Sequence, residues 1–293
     1  YMAGDDDQTI YGFQGADPAC FMSQEGERDD QEISRRVPKS VHREAIKILD
    51  QLTTRIDKKW TPRDAEGKVY PNHTLDEIDF SKGNWMILAR TNKLLINISE
   101  HFYSLGVRFK AKTNTRLPND IVETYQIWIR LNQGAFISGE EAQTLYKSLV
   151  VKKGHVARGF SDGKSLQNEK SVDLQKLKTH HGLLIQGDWK QLHISDQYKD
   201  YMQTLLERGD DLMKKPNIEL LTLHGSKGKE CENVCLFTDY GVEGQDEFIY
   251  RSAYENPDAE HRLFFVGTTR AKENLYLMQP TSDYYYTIGE PIV

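Results

Sequence analysis

Across 293 residues there is no run of about 18 apolar residues, the length a membrane-crossing helix needs, and no basic stretch leading into a hydrophobic one at the N-terminus. Neither a membrane span nor a signal peptide is expected, and the default location is intracellular, in the cytoplasm. Cysteine is scarce. Cys20, Cys231 and Cys235 cannot build a disulfide framework, and the 231/235 pair has no second pair at zinc-site spacing, so reduced core thiols are expected and a metal site is not. Positive charge is not in surplus either: 38 Lys and Arg against 44 Asp and Glu give a net charge of -6. That balance argues against a protein that coats nucleic acid non-specifically, while leaving room for a local basic groove. Internal repeats and low-complexity tracts are missing as well.

What is present is the composition of a folded chain, 38% hydrophobic and 28% charged, long enough for two or three domains. "YMAG" at the start reads as the tail of a buried strand, so the chain is expected to be a fragment. "VHREAIKILDQLTTRI" (41–56) places Val41, Ala45, Ile48, Leu49, Leu52 and Ile56 at helical spacing, with Ser40 as the expected N-cap. A polar stretch over 57–84 follows. "NWMILAR" then reads as a buried strand running into a helix over 92–105, stopped by Gly106, and "VRFKA" as the next strand. Strand, helix, strand is the unit of a parallel sheet, so the expected fold class is α/β. Residues 116–215 lose the alternation and read as helices. Strands resume at "IELLTL" (218–223), "NVCLFTDY" (233–240) and "NLYLM" (274–278), with a helix over 258–272 that starts from Asn256 and Pro257.

Three stretches concentrate polar groups beyond what a connection needs. "AGDDDQTIYGFQGAD" (3–17) sets three carboxylates before an amide and two aromatics, and by composition alone could be a metal site, a phosphate sensor, a base-stacking platform or a solvated turn. Successive side chains of an extended segment point oppositely, so Asp5, Asp6 and Asp7 are not expected to hold one ion and read instead as turn and hinge-network residues. "LLTLHGSKGKE" (220–230) follows a strand, where Thr222, His224, Lys227 and Glu230 would emerge at the carboxyl end, the usual ligand crevice of an open α/β sheet. "AEHRLFFVGTTRAKENLYL" (259–277) is a helix with a basic end, at which Arg270 follows two threonines.

In order and spacing, "GDDDQTIYGFQGA", "LLTLHGSKGKE" and "EHRLFFVGTTRAKE" resemble motifs III, V and VI of the superfamily 1A DNA helicases, the group of UvrD, Rep and PcrA, and "SRRVPKS" (34–40) falls where motif IV belongs. The resemblance implies the P-loop NTPase superfamily. Its divisions would be the end of motor domain 1A over 1–30, a RecA-like motor domain 2A over 31–115 and 216–293, and a small helical 2B-like insertion over 116–215. The implied ligands are ATP with Mg²⁺, single-stranded DNA and its junctions with duplex. Neither the GxxxxGK[ST] loop nor the acidic metal-holding motif occurs here, so both, with the Mg²⁺ ligands, are expected in a preceding N-terminal motor domain, and this chain alone is expected to be inactive.

Residue by residue, the resemblance makes Gln8 the γ-phosphate sensor and Arg36 and Arg270 the two arginines that reach that phosphate. Arg35 stands where a Tyr usually stacks on adenine, and Gly228 and Glu230 would lie along the nucleotide. Tyr11 and Phe13 match base-stacking positions, with Phe13 replacing the commoner Trp and Gln14 a usual Arg. Thr222 and His224 would touch the DNA backbone. The function implied is the C-terminal portion of an ATP-driven DNA helicase or translocase. The alternative is a non-catalytic module that binds single-stranded DNA or a partner, and a helicase-nuclease finds no nuclease segment after 278.

Overall fold

The computed structural model describes residues 3–17, 19, 23–27, 29–111, 117–149 and 154–292, with the Phe13 side chain outside that description. Cys20 also lies outside it. In chain order the elements are α1 (Lys39–Leu49), β1 (Lys68–His73), β2 (Trp85–Ala89), α2 (Asn92–Ser104), β3 (Lys110–Ala111), α3 (Asn119–Asn132), α4 (Gly139–Leu149), α5 (Leu174–His180), α6 (Asp196–Glu207), β4 (Ile218–Thr222), β5 (Cys231–Leu236), α7 (Asp246–Glu255), α8 (Pro257–Thr268) and β6 (Ala271–Met278). They divide into two compact units, Tyr1–Ser104 with Phe109–Asn114 and Pro216–Val293, and Thr115–Lys215 with Leu105–Arg108.

All six strands lie in the first unit, paired in parallel in the order β1-β6-β5-β2-β4-β3. β2, "WMILA", is buried at every position, as a central parallel strand with both faces covered must be. Alternation divides it. Met86 and Leu88 join Val234, Leu236 and Leu275 in a core closed by Val41, Ala45 and Ile48 of α1 and by Leu263, Phe264 and Val266 of α8. On the opposite face Trp85 meets Phe80, which meets Phe102 of α2.

The helix termini follow from local chemistry. α1 is capped by Pro38, not Ser40, because Lys39 and Ser40 donate their N–H groups to the carbonyls of Ala65 and Glu66, and the helix ends at Leu49, short of the expected 56. Asn256 caps α8 by accepting from the Ala259 N–H, with Pro257 at the first helical position, as expected. α8 stops at Thr268 rather than 272, which puts Arg270 in the turn before β6 and Lys272 on the strand. Gly267 gives a close approach there: a Cβ would sit 2.4 Å from Leu223 Cδ2 and 3.2 Å from Leu236 Cδ1, so a larger residue would push these buried side chains aside where α8 meets the end of β4. The helix α5, inside what reads as a basic linker, the helix α7 and the strand β1 inside the polar stretch 57–84 were not expected.

The second unit is helical. Trp128, Leu131, Leu145, Tyr146, Leu149, Leu177 and Leu205 form its core, and the polar tips of its large aromatics are satisfied: Trp128 Nε1 donates to the Gly187 carbonyl at 2.8 Å and Tyr146 Oη to that of His181 at 2.9 Å. Among the described residues no helix is long and apolar enough to cross a membrane.

Candidate functional site

The opening acidic run is not extended. Asp6–Gln8 form a 3-10 turn capped by Asp5, whose carboxylate accepts from the Asp7 N–H at 3.2 Å, so the three side chains converge rather than alternate. A cation of the protein itself occupies their meeting point: Lys58 Nζ lies 2.6 Å from Asp5 Oδ1, 2.5 Å from Asp6 Oδ1 and 3.0 Å from Asp7 Oδ2. Arg55 grips Asp7 through two hydrogen bonds, and the Ile56 N–H donates to Asp6 at 2.8 Å. Burial pushes the Asp6 carboxyl up, but the Lys58 hydrogen bond, the Ile56 N–H and the Lys58 charge outweigh it and hold the group below its usual range. Burial likewise opposes the Lys58 charge, yet Asp5, Asp6 and Asp7 push its pKa up to about 12. The aspartates are a latch that docks the N-terminal segment on 55–58.

The latch fixes Gln8. Its Nε2 donates to the Asp5 carboxylate, its backbone carbonyl accepts from Lys227 Nζ at 2.8 Å, and its Oε1 faces Arg270 Nη2 at 3.4 Å. Arg270 is 1% exposed, and its fork also donates from Nε to the Val266 carbonyl (2.7 Å), from Nη1 to that of Lys229 (3.1 Å) and from Nη2 to Thr269 Oγ1 (3.0 Å). Burial, then the neighbouring Arg36 charge, lowers the Arg270 pKa to about 10 against the pull of Glu230 and Asp5. Arg36 is partly buried, its Nε has no hydrogen-bond partner, and its Nη1 is 4.0 Å from Glu230 Oε2, a carboxylate shared with Lys272 at 3.2 Å. Burial lowers the Arg36 pKa too. Arg36 and Lys272 thus share Glu230, whose charge also acts on Arg270, and a buried Arg36 N–H is left over. That donor set suits the terminal phosphate of a nucleotide. The same test fails for Mg²⁺ at Asp5–Asp7, because Lys58 fills the point a metal would take. Arg35 is exposed, and Gly228 has φ 82° with open space around it.

Glu230 is not at the carboxyl end of the sheet, as the sequence reading had it. The parallel connection from β4 to β5 must return to the start of the next strand, so 223–230 runs from the carboxyl end of β4 to the amino end of β5. Glu230 therefore sits beside Arg270, which immediately precedes β6. Thr222 and His224 stay at the far end. Thr222 Oγ1 accepts from the Gly225 N–H at 3.1 Å, and Tyr11 Oη donates to the His224 carbonyl at 3.2 Å with the two rings 6.0 Å apart. Lys227 Nζ lies 5.2 Å from the Tyr11 ring centroid. Burial, then the Arg90 charge, lowers the His224 pKa, while a hydrogen bond with the Ile10 backbone raises it. Segment 8–11 therefore touches the loop 223–230 at His224 and at Lys227. Phe13 lies in the 3-10 turn Gly12–Gln14, and its side chain is outside the description.

Sequence reasoning passed over Arg55 and Lys58, which hold the acidic run, and Arg90, whose charge acts on His224 and which pairs with Glu260 at 2.7 Å. The signal for the last pair was there, an arginine ending the most apolar strand and a glutamate inside an apolar helix.

The parallel α/β sheet, with a cationic cluster at the amino ends of β5 and β6 and polar groups at the end of β4, is consistent with a RecA-like helicase C-terminal domain. Residues 143–281 match the family model described as UvrD-like helicase C-terminal domain. Over 150 residues the chain is 29% identical to a probable DNA helicase of Mycoplasma pneumoniae, an alignment that covers 41% of this chain and 27% of that protein, so the match spans about a quarter of the relative's length. The resemblance read from the motifs is thereby shown for the stretch that holds Thr222, His224, Gly228, Glu230 and Arg270. Gln8, Tyr11, Phe13, Arg35 and Arg36 lie outside the family match.

Proposed function

We propose that this chain is the C-terminal motor portion of an ATP-dependent DNA helicase or translocase, with residues 1–30 as the end of motor domain 1A, the rest of the first unit as motor domain 2A and the helical second unit as a 2B-type insertion. One observation carries the reading: residues from three separated stretches converge, with the Gln8 carboxamide facing the Arg270 fork and with Arg36, whose charge acts on Arg270, beside Glu230 with a buried N–H to spare. Arg36 and Arg270 would hold the γ-phosphate of ATP, and Gln8, able to donate and to accept, would register its presence. ATP supplies the phosphoanhydride whose cleavage drives movement. The chain's part is to place two planar guanidiniums where negative charge develops, a role worth about 10³ to 10⁵ in rate for an arginine finger. Tyr11, Phe13, Thr222 and His224 would meet single-stranded DNA. The loop 223–230 and segment 8–11 are shared between the two regions, so a shift of Gln8 on loss of the phosphate would be felt at His224.

The reading assigns the phosphate cradle and the Mg²⁺ carboxylates to another segment, since their patterns do not occur in these residues. It is tested by measuring DNA-stimulated ATP turnover in the protein encoded by the complete reading frame. Turnover there, reduced about 10³-fold by Arg270→Ala, supports it. Turnover by residues 1–293 alone, or an unaffected Arg270→Ala enzyme, would refute it.

A further inference from the structure

The sheet face turned away from α8 carries a line of aromatic rings. Tyr70 of β1 stacks on Tyr276 of β6, with centroids 4.5 Å apart and planes at 15°, and His73 meets both rings edge-on at 5.6 and 5.5 Å. Trp85 lies 5.3 Å from Tyr276 and leads through Phe80 to Phe102. α2 packs over β2 and β4, the Phe102 end of this line. At the β1–β6 end the face opens instead into a cleft of about 450 Å³ lined by Tyr70, Tyr276 and Trp85, with Glu77, Asp79, Glu232 and Glu273 around it and Lys82 as its one ammonium. Parallel sheets are ordinarily covered on both faces, so half-buried tyrosines at this end mark a surface built to be covered.

Charge identifies the kind of partner. Four carboxylates face one lysine, which itself leans on Asp79 at 3.8 Å. Hydrogen bonds from Thr74 hold Glu77, and hydrogen bonds from Ser81 hold Asp79, below the usual carboxylate range, so both are ionised at neutral pH. Such a rim repels phosphates and attracts cations, and the faces of stacked tyrosines attract cations again. We propose that this cleft is a docking site for a basic peptide segment of a partner protein, an arginine or lysine lying on the Tyr70–Tyr276 pair with its charge among the four carboxylates. None of the residues that line the cleft is assigned to the nucleotide or DNA reading.

The test is titration of the 293-residue chain, by calorimetry, with a terminally blocked peptide of alternating arginine and glycine, beside its glutamate counterpart and an oligothymidylate. The arginine peptide should bind one to one. Glu273→Lys, an exposed change that should leave the melting temperature in place, should weaken binding about tenfold, and Tyr276→Leu, which keeps bulk and removes the π face, should weaken it severalfold. Equal binding of the glutamate peptide, no saturable binding of the arginine peptide, indifference to both substitutions, or displacement of the peptide by oligothymidylate in the Arg270→Ala chain and the native chain alike would overturn the proposal. Each of these outcomes is independent of ATP turnover, so this proposal and the helicase reading fail separately.

Discussion

Arg90 and Glu260 form a two-pronged ion pair, Nε to Oε1 at 2.7 Å and Nη2 to Oε2 at 3.2 Å, that ties the residue after β2 to the first turn of α8. The partners are unequally placed: the Glu260 side chain is 6% exposed and that of Arg90 23%. Burial raises the Glu260 pKa even though the Arg90 charge and hydrogen bonds pull it down. Removing the arginine therefore strands a buried carboxylate, whereas removing the glutamate leaves a guanidinium that can reach water. Arg90→Ala is expected to cost about 3 to 5 kcal/mol of unfolding free energy, and Glu260→Ala clearly less. The pH dependence has a definite sign. With a folded pKa raised above the unfolded value of about 4.3, the contribution is fully present below that value and lost as pH rises through the folded pKa. Urea unfolding of Arg90→Ala should accordingly show a larger deficit at pH 8 than near pH 4.5, and a deficit independent of pH would remove the carboxylate from the explanation.

The Lys58 latch has the opposite acid behaviour. Asp6 is held below its unfolded pKa, so its stabilisation is present above about pH 3.9 and is lost as pH falls through the folded value. Lys58 is raised to about 12, so its share is complete below its unfolded value, about 10.4, and is lost only as pH rises through about 12. Between those limits the latch is closed. Hydrogen exchange of residues 5–14, corrected for intrinsic rate, should stay flat from about pH 5 to pH 9 and increase below about pH 4. Lys58→Met should release the same segment at neutral pH while β2 and β4 stay protected, since the buried Asp6 is left with the Ile56 N–H and the buried Asp7 with Arg55. Unchanged protection in that variant would mean that Lys58 does not hold the segment.

Much of the sheet was legible because its signals are local. β2 is an unbroken apolar run, β4 and β5 end near where their apolar residues end, and Asn256-Pro257 announces α8. β1 was not, for a physical reason: as an edge strand with one partner, half-exposed and containing Pro71, "KVYPNH" carries neither alternation nor an apolar run. The convergence of Asp5, Asp6 and Asp7 was invisible because it depends on a partner some 50 residues away, and assuming an extended chain gave the wrong side-chain directions. Glu230 was placed at the wrong end of the sheet because strand ends were read without following where the next parallel strand must begin. The clustering of Gln8, Arg36 and Arg270 could be anticipated only through resemblance, since nothing in the spacing of these positions along the chain brings them together.

Arg270 makes a sharper test of the nucleotide reading when it is replaced by lysine. An ammonium can supply the charge but cannot donate at once to the Val266 and Lys229 carbonyls, Thr269 and Gln8. In the complete protein, Arg270→Lys and Arg36→Ala should each lower kcat for ATP steeply with less effect on nucleotide affinity, because charge stabilisation is asked for chiefly in the transition state. A melting curve must accompany the kinetics, since truncating Arg270 also removes its hydrogen bonds to the Val266 and Lys229 carbonyls. A fall in melting temperature with kcat intact would make Arg270 a structural residue.

Tyr11 and Lys227 separate stacking from charge in the DNA reading. The Lys227 ammonium rests 5.2 Å from the Tyr11 ring centroid and donates to the Gln8 carbonyl, so a base can take that face of the ring only if the lysine moves aside, toward a phosphate. Tyr11→Ala should weaken single-stranded DNA binding by about 1 to 3 kcal/mol with little preference for base sequence and an unchanged salt slope, because a lost stack removes no ion pair. Lys227→Ala should lower the slope by about one instead. Tyr11→Phe isolates the remaining interaction, the hydroxyl's bond to the His224 carbonyl. If the ring stacks on bases, Tyr11→Phe binds DNA almost as well as the native chain. If Tyr11 serves only to brace the loop 223–230, Tyr11→Phe and Tyr11→Ala lower the melting temperature together and leave DNA affinity where it was, and the stacking assignment falls.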